Sequence, residues 1–210
     1  TSVTVVGEVV ASTRMPLTPK GERLLDALAS AGGVRQPVNK VMVQLTRGQT
    51  VHALPLDTII RDPRQNVVLQ SGDVVTVLYQ PLSFTALGAV TKNDEINFEG
   101  QGISLTQALA RAGGLQDQRA DALGVFVFRL EDAQALAWPQ PVKASADGKV
   151  PVIYRINLRD PRNLFVAQNF AVQNKDLVYV SNAPVADLQK FVNVIAGFGY
   201  PILGLVNATK

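Results

Sequence analysis

The residues of this sequence that could perform chemistry are few and are poorly placed for catalysis. His52 is the only histidine, and its position in an alternating segment predicts a packed or solvent-facing side chain. One histidine cannot form a histidine metal cluster, and its neighbours give no sign of Ser/His/Asp catalysis. Cysteine is absent, which excludes thiol catalysis, cysteine-ligated zinc and disulfides. We therefore predict no enzyme activity, no metal and no cofactor.

The paired acidic and paired glycine residues do not change this prediction. The acidic pairs at 94–95 and 131–132 lie in or near turns, with no opposed carboxylates of the kind a glycosidase requires. The glycine pairs at 32–33 and 113–114 follow short helical segments. Carbonyl groups point outward at the end of a helix, so anions are disfavoured there and phosphate loops are not indicated.

Two Arg-Asp-Pro-Arg segments, at 61–64 and 159–162, are the other candidates for binding chemistry. Arginine forks suit anions such as phosphate or acidic sugars. An Asp followed by Pro is nevertheless chiefly a turn signal, and flanking arginines are usually solvated or paired locally. We favour this structural reading, and pairing between subunits is the main alternative.

An internal repeat sets the domain organisation. Residues 24–33 (LLDALASAGG) recur at 105–114 (LTQALARAGG), and Gly7 and Gly88 are separated by the same interval. A repeated order of strand, helix and double glycine indicates one module used twice. With 210 residues, 47% of them hydrophobic, the chain can form two small domains. A glycine inside a strand, as at both Gly7 and Gly88, indicates a bulge or a close backbone approach.

The local signals of each copy predict a compact β-grasp-like α+β unit. Thr18 could cap the first helix with Pro19 at its first position. Ser104 and Gln107 have the spacing of a capping box before the second helix. Strands are predicted over residues 4–10, 40–46, 50–54, 74–79 and 124–130.

The second copy contains an inserted stretch at about 131–149, because the interval between the two Arg-Asp-Pro-Arg segments exceeds the interval between the repeated helices. The insertion holds Trp138, the only tryptophan. Long excursions from compact domains lie on the surface and are often functional, so we expect contact with a neighbour. The candidates for contact between subunits are Arg61, Arg64, Arg159, Arg162 and Trp138.

The C-terminal segment has the pattern of an amphipathic helix over residues 186–207. About 20 helical residues span roughly 30 Å, the thickness of a hydrocarbon core. A ring of such helices could turn a polar stripe to a watery lumen and the apolar face to lipid. The lumen candidates are Lys190, Asn193, Gly197, Tyr200 and Asn207. The lipid-facing candidates are Phe191, Val194, Ile195, Phe198, Ile202 and Leu205. Alternatively, the helix docks on the second domain or on a partner.

Residues 57–66 (DTIIRDPRQN) and 69–77 (LQSGDVVTV), after the double glycine, resemble the soluble-ligand-binding β-grasp, or SLBB, domain. Two such copies before an amphipathic helix resemble the outer-membrane polysaccharide export lipoproteins of capsule secretion. Two features depart from that family. Lys175-Asp176 stands where the first copy has Gly72-Asp73, and the family's N-terminal export domain and lipid-carrying cysteine are missing. The sequence begins at Thr1 directly before a predicted strand, with no signal peptide, so we expect a processed or excised piece of a longer protein.

The resemblance implies two tandem SLBB domains, 1–82 and 83–183, followed by a helix in 184–210. It also implies a non-catalytic homo-oligomeric ring, commonly octameric, in the periplasm and outer membrane of a Gram-negative bacterium. Polysaccharide would pass through its pore, in contact with an inner-membrane polysaccharide co-polymerase. The net charge of +3 is scattered and indicates no nucleic-acid partner. The alternatives are a soluble saccharide-binding module and a periplasmic scaffold with a docked C-terminal helix.

Overall fold

A computed structural model shows a mixed α+β chain and describes residues 1–116, 124–138, 141–182 and 185–204. This described part divides into two units. The first comprises Thr1–Leu82 and Asn97–Gly102. The second comprises Ser83–Ile96 and the described residues from Ile103 onward.

The first unit is a mixed sheet with helices packed on one face. Its elements are β1 (Ser2–Gly7), β2 (Thr13–Pro16), α1 (Leu24–Ser30), β3 (Val41–Arg47), β4 (Thr50–Pro55), α2 (Leu56–Arg61) and β5 (Val74–Tyr79). The strand order is β2-β1-β5-β3-β4. Strand β1 is parallel to β5, and the other neighbours are antiparallel. Strands β3 and β4 therefore form a hairpin, and β5 is the central strand of this sheet.

The core of the first unit follows from the period of each element. Alternate residues of a strand face one side of a sheet, and Val3 and Val5 of β1 are fully buried. Helix α1 covers this face with Leu24, Ala27 and Leu28, all nearly or fully buried. Burying each leucine contributes about 1.5–3 kcal/mol to folding. These leucines therefore form part of the core of the first unit.

The second unit repeats this plan and extends it. Its elements are β6 (Leu82–Gly88), β7 (Asp94–Phe98), β8 (Ile103–Ser104), α3 (Leu105–Arg111), β9 (Val125–Asp132), β10 (Lys149–Ile156), α4 (Arg162–Asn169), β11 (Ala171–Val172), β12 (Leu177–Val180), α5 (Val185–Gly197) and β13 (Ile202–Gly204). The main sheet has the order β13-β10-β9-β12-β6-β7, and β8 pairs separately with β11. Strands β6, β12, β9 and β10 correspond to β1, β5, β3 and β4, with the same relative directions.

Glycines in the first strand of each unit permit a close approach between backbones. Gly7 and Gly88 both have φ of +95°. A Cβ atom at Gly7 would lie 2.1 Å from the carbonyl oxygen of Val77, and one at Gly88 would lie 2.1 Å from that of Val180. The close approach predicted at these positions is confirmed, and only glycine fits there.

The helix starts were predicted with different success. Ser104 caps α3 as expected, and its amide donates to Gln107 Oε1 at 2.8 Å while the Gln107 amide donates back to its hydroxyl. The start predicted at Thr18 and Pro19 is wrong, because α1 begins at Leu24. The Thr18 amide instead donates to the Glu22 carboxylate at 2.8 Å, which closes a turn before the helix.

The C-terminal helix is shorter than the sequence predicts. Helix α5 ends at Gly197, and the chain then forms β13, which runs parallel to β10. Gly199 adopts φ of +76°, and Pro201 supplies no amide donor, so the helical ladder cannot continue through them. The periodicity that predicts a helix to residue 207 therefore coincides with an edge strand over 202–204.

Candidate functional site

Each unit holds a buried aspartate at the turn before its central strand. Asp73 and Asp176 are both 1% exposed. Arg47 donates from Nε and Nη2 to Asp73 at 2.9 and 2.7 Å. Arg129 donates from the same two atoms to Asp176 at 2.9 and 2.6 Å. We call each of these bidentate pairs an Arg–Asp lock, since paired hydrogen bonds fix both direction and distance.

The backbone partners of the two locks are also equivalent. The arginine Nη2 atoms donate to the carbonyl oxygens of Val68 and Ala171, at 3.0 and 2.8 Å. The amides of Gln70 and Gln173 donate to the aspartates, each at 2.8 Å. Each lock therefore joins the hairpin, the turn before the central strand and the segment beside the helix. This arrangement is typical of a structural element that holds the module rigid.

Sequence reasoning singled out the Gly-Asp and Lys-Asp turns but missed the two arginines. The signal was present, because Arg47 follows Leu24 by 23 residues and Arg129 follows Leu105 by 24. Contacts between residues on different strands can be predicted from sequence only when the register of the strands is known. The repeat could have supplied that comparison.

Both locks carry charge inside the protein. Burial alone would raise the pKa of Asp73, but hydrogen bonds from Arg47 and the Gln70 amide, with the positive charge, bring it below its ordinary value. Burial likewise works to lower the pKa of Arg129, and its bonds and charge interactions with Asp176 and Glu131 raise it overall. Both groups are therefore charged at neutral pH.

Aromatic side chains cover the lock of the second unit. The Arg129 guanidinium carbon lies 5.3 Å from the ring centre of Tyr154 and 4.9 Å from that of Phe170. The two rings meet edge to face with their centres 5.1 Å apart. The Tyr154 hydroxyl donates to Glu131 Oε1 at 2.7 Å, and burial followed by this bond raises the Tyr154 pKa. The Arg129 side chain is 7% exposed as a result.

The lock of the first unit lines an open pocket instead. The cavity measures about 510 Å³ and lies between the hairpin and the helices. Its walls include Leu24, Leu45 and Ile59. Its polar lining includes Arg47 and His52. The Arg47 side chain is 36% exposed. This pocket can therefore accommodate an apolar or aromatic group, and the Arg47 guanidinium would lie against the face of an aromatic ring.

Local ion pairs hold Arg61, Arg64 and Arg162 of the Arg-Asp-Pro-Arg turns. Arg64 and Arg162 each donate to the aspartate two positions earlier, with Nη2 bonds of 2.9 and 2.7 Å to Asp62 and Asp160. Arg61 pairs with Asp57 at 2.9 Å. The Arg159 amide donates to Asn157. The local pairing favoured from sequence is therefore present, and the role of these arginines between subunits stays a prediction.

The insertion lies within the β9 and β10 hairpin. Lys149 and Asp132 form an exposed ion pair of 2.7 Å at its base. Trp138 donates from Nε1 to the Ala133 carbonyl oxygen at 2.6 Å and is partly buried. Its indole is thus tied to its own loop, and its predicted contact with a neighbouring subunit stays a prediction.

In this structure the described lumen candidates and lipid-facing candidates of the C-terminal segment share one environment, the solvent-exposed surface. The lumen candidates Lys190, Asn193, Gly197 and Tyr200 are exposed, and so are the lipid-facing candidates Val194 and Phe198. Val192 of α5 packs against the Phe126 and Ile153 cluster of the second sheet. The candidates outside the described side chains are Phe191, Ile195, Ile202, Leu205 and Asn207. Within the described residues, every helix is too short or too polar to qualify as a membrane span.

Comparison with known proteins places both units in one family. The sequence model of the SLBB domain matches residues 1–77 and again residues 83–180. These two matches coincide with the two repeats and their Arg–Asp locks. They take in most of the chain and stop before α5.

Several curated proteins are similar to this chain over most of its length. Capsule polysaccharide export outer membrane protein CtrA of Neisseria meningitidis serogroup A is 47% identical over 189 residues, which are 88% of this chain and 49% of that protein. Capsule polysaccharide export protein BexD of Haemophilus influenzae is 43% identical over 95% of this chain and 52% of its own length. Vi polysaccharide export protein VexA/TviF of Salmonella typhi is 29% identical over 84% of this chain. The chain spans about half the length of these relatives.

Proposed function

The chain belongs to the SLBB domain family, and we propose that it is a structural part of an outer-membrane machine that exports capsular or extracellular polysaccharide. The observation that carries this proposal is the similarity to export proteins, which extends across both SLBB units. The chain would work in the periplasm and outer membrane of a Gram-negative bacterium. Its task would be to build a passage, with no catalytic step.

The two units suit a rigid building block of a ring. Each is fixed internally by an Arg–Asp lock with a buried carboxylate. Copies that contact one another head to tail through two different patches close into a ring when the rotation permits. We propose such a homo-oligomer, octameric by resemblance, which works with an inner-membrane polysaccharide co-polymerase.

The C-terminal segment 184–210 would line the outer-membrane part of the passage. In this arrangement Lys190, Asn193, Gly197, Tyr200 and Asn207 face the lumen and the apolar candidates face lipid. The proposal requires residues 198–204 to leave the edge of β10 and continue from α5 as a helix broken at Gly199 and Pro201. Such breaks are tolerated where neighbouring helices or lumen water satisfy the freed backbone groups. Two side chains favour such a transfer, because Val194 and Phe198 are 58% and 72% exposed, and burial of large apolar groups is favourable.

The mass of the protein tests the assembly. Protein extracted from cell envelopes in detergent is measured by native mass spectrometry or light scattering, with and without residues 184–210. We expect a large closed oligomer from the complete chain and a smaller or unstable one without the segment. A monomer in both forms would contradict the ring and would favour the saccharide-binding alternative.

A further inference from the structure

The two repeats differ at the position that decides whether the Arg–Asp lock is covered. His52 pairs with Leu45 across the first hairpin, and Tyr154 pairs with Val127 at the same place in the second. His52 and Tyr154 are therefore equivalent positions. The first unit has an exposed histidine where the second has a tyrosine that is 3% exposed.

At a second position, too, the first unit has a smaller side chain where the second unit has an aromatic one. The Val67 carbonyl oxygen accepts the amide of Leu24 at 3.1 Å, and the Phe170 carbonyl oxygen accepts the amide of Leu105 at 2.9 Å. Val67 and Phe170 are thus equivalent as well. The tyrosine and phenylalanine that cover Arg129 are replaced in the first unit by the smaller His52 and Val67, and the pocket beside Arg47 occupies that place.

We propose that the first unit's pocket binds an aromatic side chain of a second copy of this chain, and that this side chain is Phe165. The occupant's chemistry follows from electrostatic complementarity. The guanidinium of Arg47 is positive and the face of an aromatic ring is negative. The second unit contains this same pairing within one chain, through Phe170 at 4.9 Å from Arg129. The apolar walls of the pocket suit the rest of the ring.

Among the residues that the structure describes, Phe165 is the most exposed phenylalanine, tyrosine or tryptophan side chain. It lies on α4, which follows the second Arg-Asp-Pro-Arg turn, whereas the first turn is followed only by the short helical turn Pro63–Gln65. Phe165 is 74% exposed and its neighbour Leu164 is 47% exposed. An exposed aromatic anchor that enters a pocket on the partner is the usual centre of a protein interface.

This pairing would supply the head-to-tail contact of the proposed ring, and to that extent it rests on the proposed function. The pocket belongs to the first unit and α4 belongs to the second. A contact between two different patches is heterologous, so each copy offers one pocket and one anchor and the contact can repeat around a ring.

Single cysteines test the contact directly, because residues 1–210 contain no cysteine. The variants Val67→Cys and Phe165→Cys are produced together in one cell, and the envelope protein is oxidised mildly. We expect a disulfide-linked dimer that contains one copy of each variant. The control combines Phe165→Cys with Arg14→Cys, an exposed residue on β2 at the opposite edge of the sheet. The first pair should give at least about tenfold more dimer than the control, a preference expected of a specific contact.

A filled pocket gives an independent test. The double variant His52→Tyr with Val67→Phe transfers the aromatic cover of the second unit into the first. It should fold, and the mass of the detergent-extracted oligomer should fall as it does for Phe165→Ala. An unchanged oligomer in either variant would overturn the proposal.

The two proposals fail in different ways. A closed oligomer whose Val67→Cys and Phe165→Cys pair yields no more dimer than the control would overturn the Phe165 contact and leave the ring intact. A wild-type protein that is monomeric in detergent would overturn both.

Discussion

Arg129 and Asp176 form a buried bidentate ion pair, with Nη2 and Oδ2 2.6 Å apart and both side chains less than a tenth exposed. The first repeat contains the same pair as Arg47 and Asp73, with the arginine 36% exposed. Two copies of one module have thus kept one internal bond, and only one of them has covered it.

Removal of the arginine should cost more in the second unit than in the first. Breaking a buried pair leaves an uncompensated charge and lowers the free energy of unfolding by about 3–5 kcal/mol. We expect this loss for Arg129→Met and a smaller loss, about 1.5–3 kcal/mol, for Arg47→Met. The loss is smaller because water can reach Asp73, the partner of Arg47, more easily. Urea unfolding followed by circular dichroism measures both. Equal losses would show that the aromatic cover does not matter.

Substitution of the strand glycines should destabilise each unit. Gly7→Ala and Gly88→Ala place a Cβ atom 2.1 Å from a backbone oxygen, at φ of +95°. We expect losses of about 2–5 kcal/mol from left-handed strain and overpacking. The matched control is Gly72→Ala, since Gly72 also has positive φ but no atom within 4 Å of an added Cβ. It should lose only about 1–2 kcal/mol. Thermal unfolding measures the three losses. An equal loss of stability in Gly72→Ala, Gly7→Ala and Gly88→Ala would contradict the close approach.

Low pH should destabilise the first unit because Asp73 becomes protonated. Its pKa in the folded protein lies below the ordinary value of 3.8, so the unfolded chain binds a proton first as the pH falls. The stabilisation is complete above the ordinary pKa and is lost as the pH falls through the lower folded value. Asp73→Asn should be less stable at neutral pH and should show a flatter decline below about pH 4. Urea unfolding between pH 7 and pH 2 measures the slopes, and parallel curves would argue against this role.

Labelling should separate the two faces of the C-terminal segment in the membrane. A cysteine at Asn193→Cys should react with a water-soluble maleimide, because the proposed lumen is hydrated. Its neighbour Val194→Cys should be protected by lipid. Both positions are exposed in the structure of the single chain, so both should react in protein without a membrane. Equal reactivity in intact envelopes would contradict the pore-lining assignment.

Local signals were the most reliable guide to the fold. The capping box of Ser104 and Gln107 involves residues one helical turn apart, and the helix begins where they predict. The helix start predicted at Thr18 is wrong because the Thr18 amide donates to the Glu22 carboxylate in a turn. This local bond competes with the capping bond and has similar chemistry. The repeat itself predicted two equivalent modules, and the corresponding strands have the same relative directions.

Long-range features could not be read in the same way. Arg129 and Asp176 are brought together by the register of β9 and β12, which no local pattern encodes. The helical period of the C-terminal segment is real, yet Gly199 and Pro201 end the ladder and the free edge of β10 accepts β13. The pocket of the first unit follows from the side-chain sizes at His52 and Val67, and becomes evident only beside Tyr154 and Phe170.

The most direct test of the proposed function is the amount of polysaccharide on the cell surface when the gene is deleted in the source bacterium. We expect surface and released polysaccharide to be lost and polymer to accumulate inside the cell, with recovery when the gene is restored. Arg14→Cys alone, on β2 and outside both the Arg–Asp locks and the pocket lining, should also restore export. Unchanged surface polysaccharide in the deletion strain would contradict a role in export.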